Sequence, residues 1–163
     1  MTNPSDTPLR DSVITTGETA PGFTLSTSNR EDWALADHVK KGDVVLCFFP
    51  FAFTGLCGTE MECLTNELAR WEKAGATCVG ISCDSFAALK AWAEQSGFTH
   101  TLISDLHRGA CKAYGLYWAD MNVATRGTVI IGQSDDGVGQ VKWSQAREPS
   151  KAMDFDEVMG QLA

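Results

Sequence analysis

Two apolar runs organise the chain. Residues 43–49 (DVVLCFF) and 76–83 (ATCVGISC) are apolar at consecutive rather than alternate positions, which predicts strands covered on both faces. Between them, residues 55–74 carry Leu64, Leu68 and Trp71 at helical spacing, predicting one amphipathic helix that Gly75 closes. Asp84 and Ser85 then cap a helix over 85–96, with Phe86, Leu89, Trp92 and Ala93 on its inner face. Leu102, Ile103 and Ser104 form a third short strand.

The flanks extend this β-α-β-α-β core. Turn residues at 17–22 lead into a short strand over 23–26, and Trp33-Ala34-Leu35 is expected to pair back on it. Asp37 is expected to cap a brief helix that stops near Lys41-Gly42. Downstream, a short helix over 108–114 ends at Gly115. Strands over 127–132 and 138–144 are joined by the turn residues Asp135-Asp136-Gly137, and an amphipathic helix covers 152–162. The pattern predicts an α/β fold: a thioredoxin-like three-layer α/β/α sandwich with a mixed central sheet. Residues 1–16, rich in Thr, Ser, Asp and Pro, read as a flexible arm, and 17–163 as a single domain.

Composition narrows the function. At 163 residues, 44% hydrophobic and 21% charged, the chain has the make-up of a globular domain able to bury a core. A net charge of −8, with Lys40-Lys41 as the densest basic pair, argues against nucleic acid and anionic membrane as partners. The polar start is not a secretory signal, and no stretch approaches the ~20 apolar residues of a membrane span, so a cytoplasmic protein is expected. Six cysteines in a reducing compartment predict free thiols rather than a disulfide framework. No C-x-x-C occurs, and His38, His100 and His107 pair with no cysteine at ligand spacing, so no structural metal is predicted.

Cys57 is the thiol with a chemical setting. It lies where the first long strand gives way to a helix, among backbone N–H groups that lack intrahelical acceptors and carry roughly half a positive charge. That field stabilises a thiolate. Thr54, three residues earlier, is placed to donate to the sulfur and to accept from a substrate O–H. Pro50 ends the strand and, with Phe51 and Phe53, forms an apolar collar. Arg126 opens a strand on the far side of the sheet, where a guanidinium beside Cys57 would further stabilise negative charge.

Pro50-x-x-x-Thr54-x-x-Cys57, with Arg126-Gly127-Thr128 downstream, resembles the active site of the peroxiredoxins, as do Gly17-x-x-Ala20-Pro21 and the run 48–55. Within that family the chain looks most like the one-cysteine alkyl-hydroperoxide type, and next like the bacterioferritin-comigratory type. The resemblance implies a cytoplasmic antioxidant peroxidase in which Cys57 reduces hydrogen peroxide or an organic hydroperoxide and becomes a sulfenic acid. Thr54, Arg126 and the Cys57 N–H would hold the peroxide, Pro50 would exclude water, and Glu60 would orient Arg126. It implies no metal, flavin or haem, an external thiol reductant (thioredoxin, a glutaredoxin-like protein or a low-molecular-weight thiol), and a homodimer.

The other cysteines read as packing. Cys47 lies in a strand, Cys78 and Cys83 are expected to face opposite layers, and Cys111 to point inward from its helix. Cys63 is the candidate for resolving the sulfenic acid internally. Six helical residues span about 9 Å of rise and some 240° of rotation, against a Cα separation of at most ~7 Å for a disulfide. Cys63 therefore reaches Cys57 only if the helix unwinds, which favours the one-cysteine cycle. Two other classes stay in view: a thioredoxin-fold disulfide oxidoreductase, disfavoured because Glu60 stands where its second thiol belongs, and a dimerisation module built on Phe51 and Phe53.

Overall fold

The computed structural model describes residues 9–162. In chain order the elements are β1 (Thr24–Thr27), β2 (Asp32–Ala34), α1 (Leu35–Val39), β3 (Asp43–Phe48), α2 (Gly55–Asn66), α3 (Leu68–Lys73), β4 (Ala76–Ser82), α4 (Phe86–Ser96), β5 (Thr101–Ser104), α5 (Gly109–Ala113), β6 (Tyr117–Trp118), β7 (Val123–Ala124), β8 (Arg126–Ile131), β9 (Val141–Arg147) and α6 (Phe155–Gly160). Seven strands form one sheet in the order β2-β1-β5-β4-β3-β8-β9, and β6 and β7 form a separate ribbon. The pairs β3–β4 and β4–β5 are parallel, while β1–β2, β1–β5, β3–β8 and β8–β9 are antiparallel. The sheet is therefore mixed, as predicted.

β3 shows how the consecutive apolar run works. Val44, Leu46 and Phe48 enter one core with residues of α1 and α5, whereas Val45, Cys47 and Phe49 enter the other with residues of α2, α3, α4 and α6. Each face needs its own apolar set, because side chains alternate across a strand. Cys78 and Cys83 fall on opposite sides, as expected. Among the described residues no helix is long and apolar enough to cross a membrane.

Four departures from the sequence reading concern the helices and the N-terminal segment. The long helix breaks at Glu67 (φ −105, ψ 14) into α2 and α3. Just before the break, the Thr65 hydroxyl accepts the Thr99 N–H (2.9 Å) and contacts His100 Nδ1 (2.7 Å), so the end of α2 is tied to the turn before β5. Helix α1 has Ala34 at its N-cap with no side-chain cap, and Asp37 sits inside its first turn. The last helix is shorter than expected, because Asp154 caps it by accepting the Glu157 N–H (3.1 Å) and 149–153 stay out of it.

The fourth departure concerns the arm expected over 1–16. Residues 1–8 lie outside the described residues, but the remainder includes a residue packed into the body. Ile14 is fully buried, its N–H donates to Tyr114 O (3.0 Å), and its carbonyl accepts from Ser144 Oγ. A single buried isoleucine contributes about 1.5–3 kcal/mol, enough to hold a short segment against the body.

Candidate active site

The loop after β3 is fixed by its backbone bonds. Phe49 N–H still donates to Ile81 O (3.0 Å). Pro50, buried, has no N–H to continue the ladder, so the strand ends there. Ala52 N–H donates to Asp84 Oδ2 (2.9 Å), an oxygen that also accepts from Ser82 Oγ (2.7 Å). Phe53 takes a left-handed φ of 62, and Thr54 is the N-cap of α2. The first helical bond runs from Gly58 N–H to Thr54 O (2.9 Å). Gly55, Leu56 and Cys57 thus contribute the N–H groups that precede it, and the thiol of Cys57, 2% exposed, sits in their field.

Strand register brings the arginine. Phe48 pairs with Gly127, so Arg126 stands one residue beyond, level with the end of β3. Its even position puts its side chain on the α2 side of the sheet, where Arg126 Nη2 donates to Cys57 Sγ at 3.2 Å. The guanidinium is 2% exposed, and Nε donates to Pro149 O (3.1 Å). Nη1 pairs with Glu60 Oε1, the carboxylate one turn beyond Cys57. Residues 57, 60 and 126 thus form one contiguous buried unit.

Arg147 escapes sequence reasoning. It pairs with Arg126 across β8–β9, is 8% exposed, and donates from Nη2 to Glu60 Oε2 (3.4 Å) and Thr128 Oγ1 (3.1 Å). Met153 N–H donates to the same Glu60 oxygen (2.6 Å). Glu60 is therefore held by two guanidiniums and an amide. The available signal was strand length. A β9 carried to 147, rather than ended at 144, sets Ala146-Arg147 opposite Gly127-Arg126.

Thr54 differs from expectation. It occupies the N-cap position, but its hydroxyl makes no cap bond to the helix and donates instead to Phe51 O (2.7 Å). Its proton is thus committed to a carbonyl rather than to the sulfur, and its lone pairs face outward as acceptors. The aromatic collar is also divided: Phe51 packs against the α1/α5 core, whereas Phe53 is 52% exposed, with its ring 6.1 Å from that of Trp92.

Cys63, half-buried, lies in the same unbroken helix as Cys57, so the structure does not bring the two sulfurs together. Its thiol is pushed up from its ordinary range, chiefly by burial and then by the Glu67 carboxylate. Cys47 and Cys78 touch across β3 and β4, Sγ to Sγ 3.8 Å.

Comparison with known proteins agrees with this geometry. The AhpC/TSA family model matches residues 16–138. Alkyl hydroperoxide reductase E of Mycobacterium tuberculosis is 33% identical over 144 residues, covering 87% of this chain and 92% of the relative. The chloroplastic 2-Cys peroxiredoxin BAS1 of Spinacia oleracea is 28% identical over 162 residues, 93% of this chain and 60% of the relative. Among solved structures, peroxidoxin BcpB from Mycobacterium tuberculosis superposes with a TM-score of 0.81 at 25% identity, covering 91% of this chain and 96% of that one. A family match over most of the sequence coincides with a buried cysteine and arginine in contact at the end of β3, and the chain belongs to the AhpC/TSA family, the peroxiredoxins.

Proposed function

We propose that this chain is a thiol-dependent peroxidase whose peroxidatic group is Cys57. The thiolate attacks the terminal oxygen of a hydroperoxide in line with the O–O bond. The S–O bond forms as the O–O bond breaks, leaving a sulfenic acid on Cys57 and a hydroxide or alkoxide that takes a proton from solvent and departs as water or an alcohol. The observation that carries the reading is the 3.2 Å contact between Arg126 Nη2 and Cys57 Sγ, two residues each 2% exposed.

Each neighbour has a part in that step. Arg126 holds charge on sulfur and then on the leaving oxygen, and in a dry site such a preorganised donor acts strongly. Glu60 and Arg147 fix the plane of the Arg126 guanidinium. Thr54, its proton on Phe51 O, accepts from the peroxide O–H and aligns it. Pro50 ends the strand and shields the sulfur.

The cycle is completed by an external thiol, of a protein or a small molecule, rather than by Cys63. In support, α2 is continuous from Cys57 through Cys63, and the raised Cys63 thiol is a weak nucleophile at neutral pH. A cytoplasmic setting suits six unbridged cysteines. A homodimer would cover the exposed Phe53 beside the site.

The test is rapid mixing with hydrogen peroxide and with an organic hydroperoxide, following Cys57 oxidation and peroxide loss. Rapid consumption by the wild type and none by Cys57→Ser is expected. A Cys57→Ser variant that still consumes peroxide at the wild-type rate would remove the assignment.

A further inference from the structure

On the sheet face opposite Cys57, three ligand-bearing side chains meet. Cys83 follows β4, Asp105 follows β5, and Cys111 lies within α5. The two sulfurs are 3.9 Å apart, and a carboxylate oxygen of Asp105 lies within 4.8 Å of both. Exposures are 4% for Cys83, 1% for Asp105 and 0% for Cys111. The three come from separate segments, so no ligand spacing marks them in the sequence.

Three observations fit a bound cation. First, two thiolates on a tetrahedral cation with metal–sulfur bonds of ~2.3 Å stand about 3.8 Å apart, close to the separation seen here. A disulfide would need sulfurs at about 2.05 Å. Second, Asp105 is a buried acid, and among the described residues none of the ion pairs includes it. Its oxygens accept the N–H groups of Ala110 (3.0 Å) and Cys111 (2.8 Å), which leaves a lone pair on each. Third, a cavity of about 400 Å³, bounded by Phe23, Asp105, His107, Gly109, Ala110 and Tyr114, lies beside this group.

We propose that Cys83, Cys111 and Asp105 form a binding site for a thiophilic divalent cation of the zinc class, held by two thiolates and one carboxylate oxygen. The donor set is the soft-plus-hard mixture that suits such an ion. On binding, two S–H bonds break, two metal–sulfur bonds form, and two protons leave to solvent. No electron moves. Cation uptake competes with protons for the two sulfurs.

The experiment is titration of the reduced full chain with Co²⁺ as a spectroscopic probe and Zn²⁺ for thermal unfolding, in a Cys57→Ser background. Expected are a thiolate-to-cobalt charge-transfer band saturating at a single equivalent, release of two protons per ion, and a rise in Tm with Zn²⁺. Cys83→Ala and Cys111→Ala should each abolish the band, and Asp105→Asn should weaken binding at least tenfold. Cys47→Ala and Cys78→Ala, at the other touching sulfur pair, should keep it. Absence of the band in the parent, its survival in the Cys83→Ala/Cys111→Ala double variant, or its loss in Cys47→Ala would overturn the proposal. Should the alanine variants not fold, alkylation of the parent in mild denaturant decides. Zn²⁺ must protect Cys83 and Cys111 together, and equal labelling with and without the ion overturns the site.

Discussion

Arg126 and Arg147 face each other across the first register pair of β8 and β9 and close on the same carboxylate, Glu60. Two like charges this close would repel in a dry interior, so the carboxylate between them is what allows both to stay buried. The arginine that touches the thiol is thereby locked by a residue on the helix that carries the thiol.

Removing Glu60 should cost both stability and rate. Glu60→Gln leaves two buried guanidiniums without an anion, and a loss of about 3 kcal/mol in urea unfolding is expected. Arg126→Ala should slow Cys57 oxidation by roughly 10²–10³, the usual effect of deleting one preorganised donor. Arg147→Met should slow it by less, since Arg147 touches Glu60 and not the sulfur. Rapid-mixing rates equal to wild type for both arginine variants would reject the arrangement.

Thr54 separates two roles by substitution. With its proton on Phe51 O, its remaining capacity is to accept from the substrate. Thr54→Ser keeps that acceptor and should retain most activity. Thr54→Val removes it and should lower kcat/KM for hydroperoxide by about 10². Equal rates for the Ser and Val variants would show that the hydroxyl takes no part.

The segment before residue 17 offers a stability test. Ile14→Ala removes a fully buried side chain and should destabilise the fold by about 2–4 kcal/mol, read as a lowered midpoint in urea. A change below 1 kcal/mol would mean that the segment behaves as the loose arm its composition suggests.

Ile14 also shows where the sequence is legible and where it is not. Long apolar runs announced β3 and β4 because burial on both faces leaves no alternation to misread. The meeting of Cys57 and Arg126 was legible for a related reason, since the motif sets the thiol where a strand gives way to a helix and the guanidinium at a strand start. Ile14 sits beside a single apolar neighbour among polar residues, and only the tertiary groove near Tyr114 and Ser144 explains it. Arg147 and the Glu60 contact of Met153 depend on strand register and on a non-helical 149–153 segment that opens in a turn, neither of which local pattern encodes. The stretch looks like helix by composition, but Pro149 O is bonded to Arg126 and Met153 N–H to Glu60, and it stays out of the helix.

Cys63 bears on the catalytic cycle. After a single peroxide equivalent, intact mass should show one added oxygen on Cys57, trapped by a sulfenic-acid reagent, and Cys63→Ser should turn over with external thiol as fast as wild type. Loss of two hydrogens with a Cys57–Cys63 cross-linked peptide would show instead that α2 unwinds and the enzyme resolves itself.

His100 sets the response to acid. Burial holds its ring down from 6.5 to about 4. Nδ1 lies 2.7 Å from Thr65 Oγ1, and Nε2 lies 3.3 Å from Met61 Sδ. Thr65 Oγ1 already accepts the Thr99 N–H, so its own proton is free to go to an unprotonated Nδ1, while Nε2 carries the ring hydrogen toward the thioether. A second ring proton would break the first of these bonds and place a charge in the core. Between the folded and unfolded values the unfolded chain binds more protons. Stability is therefore fully present above about 6.5 and falls as pH drops toward 4. At pH 5 the loss from this one group is about 2 kcal/mol. Urea unfolding of wild type and His100→Gln at pH 7 and pH 5 isolates it, because the other titrating groups are common to both chains. The wild type should lose about 2 kcal/mol more than the variant between those two conditions, and parallel losses would show that His100 titrates alike in the folded and unfolded chains.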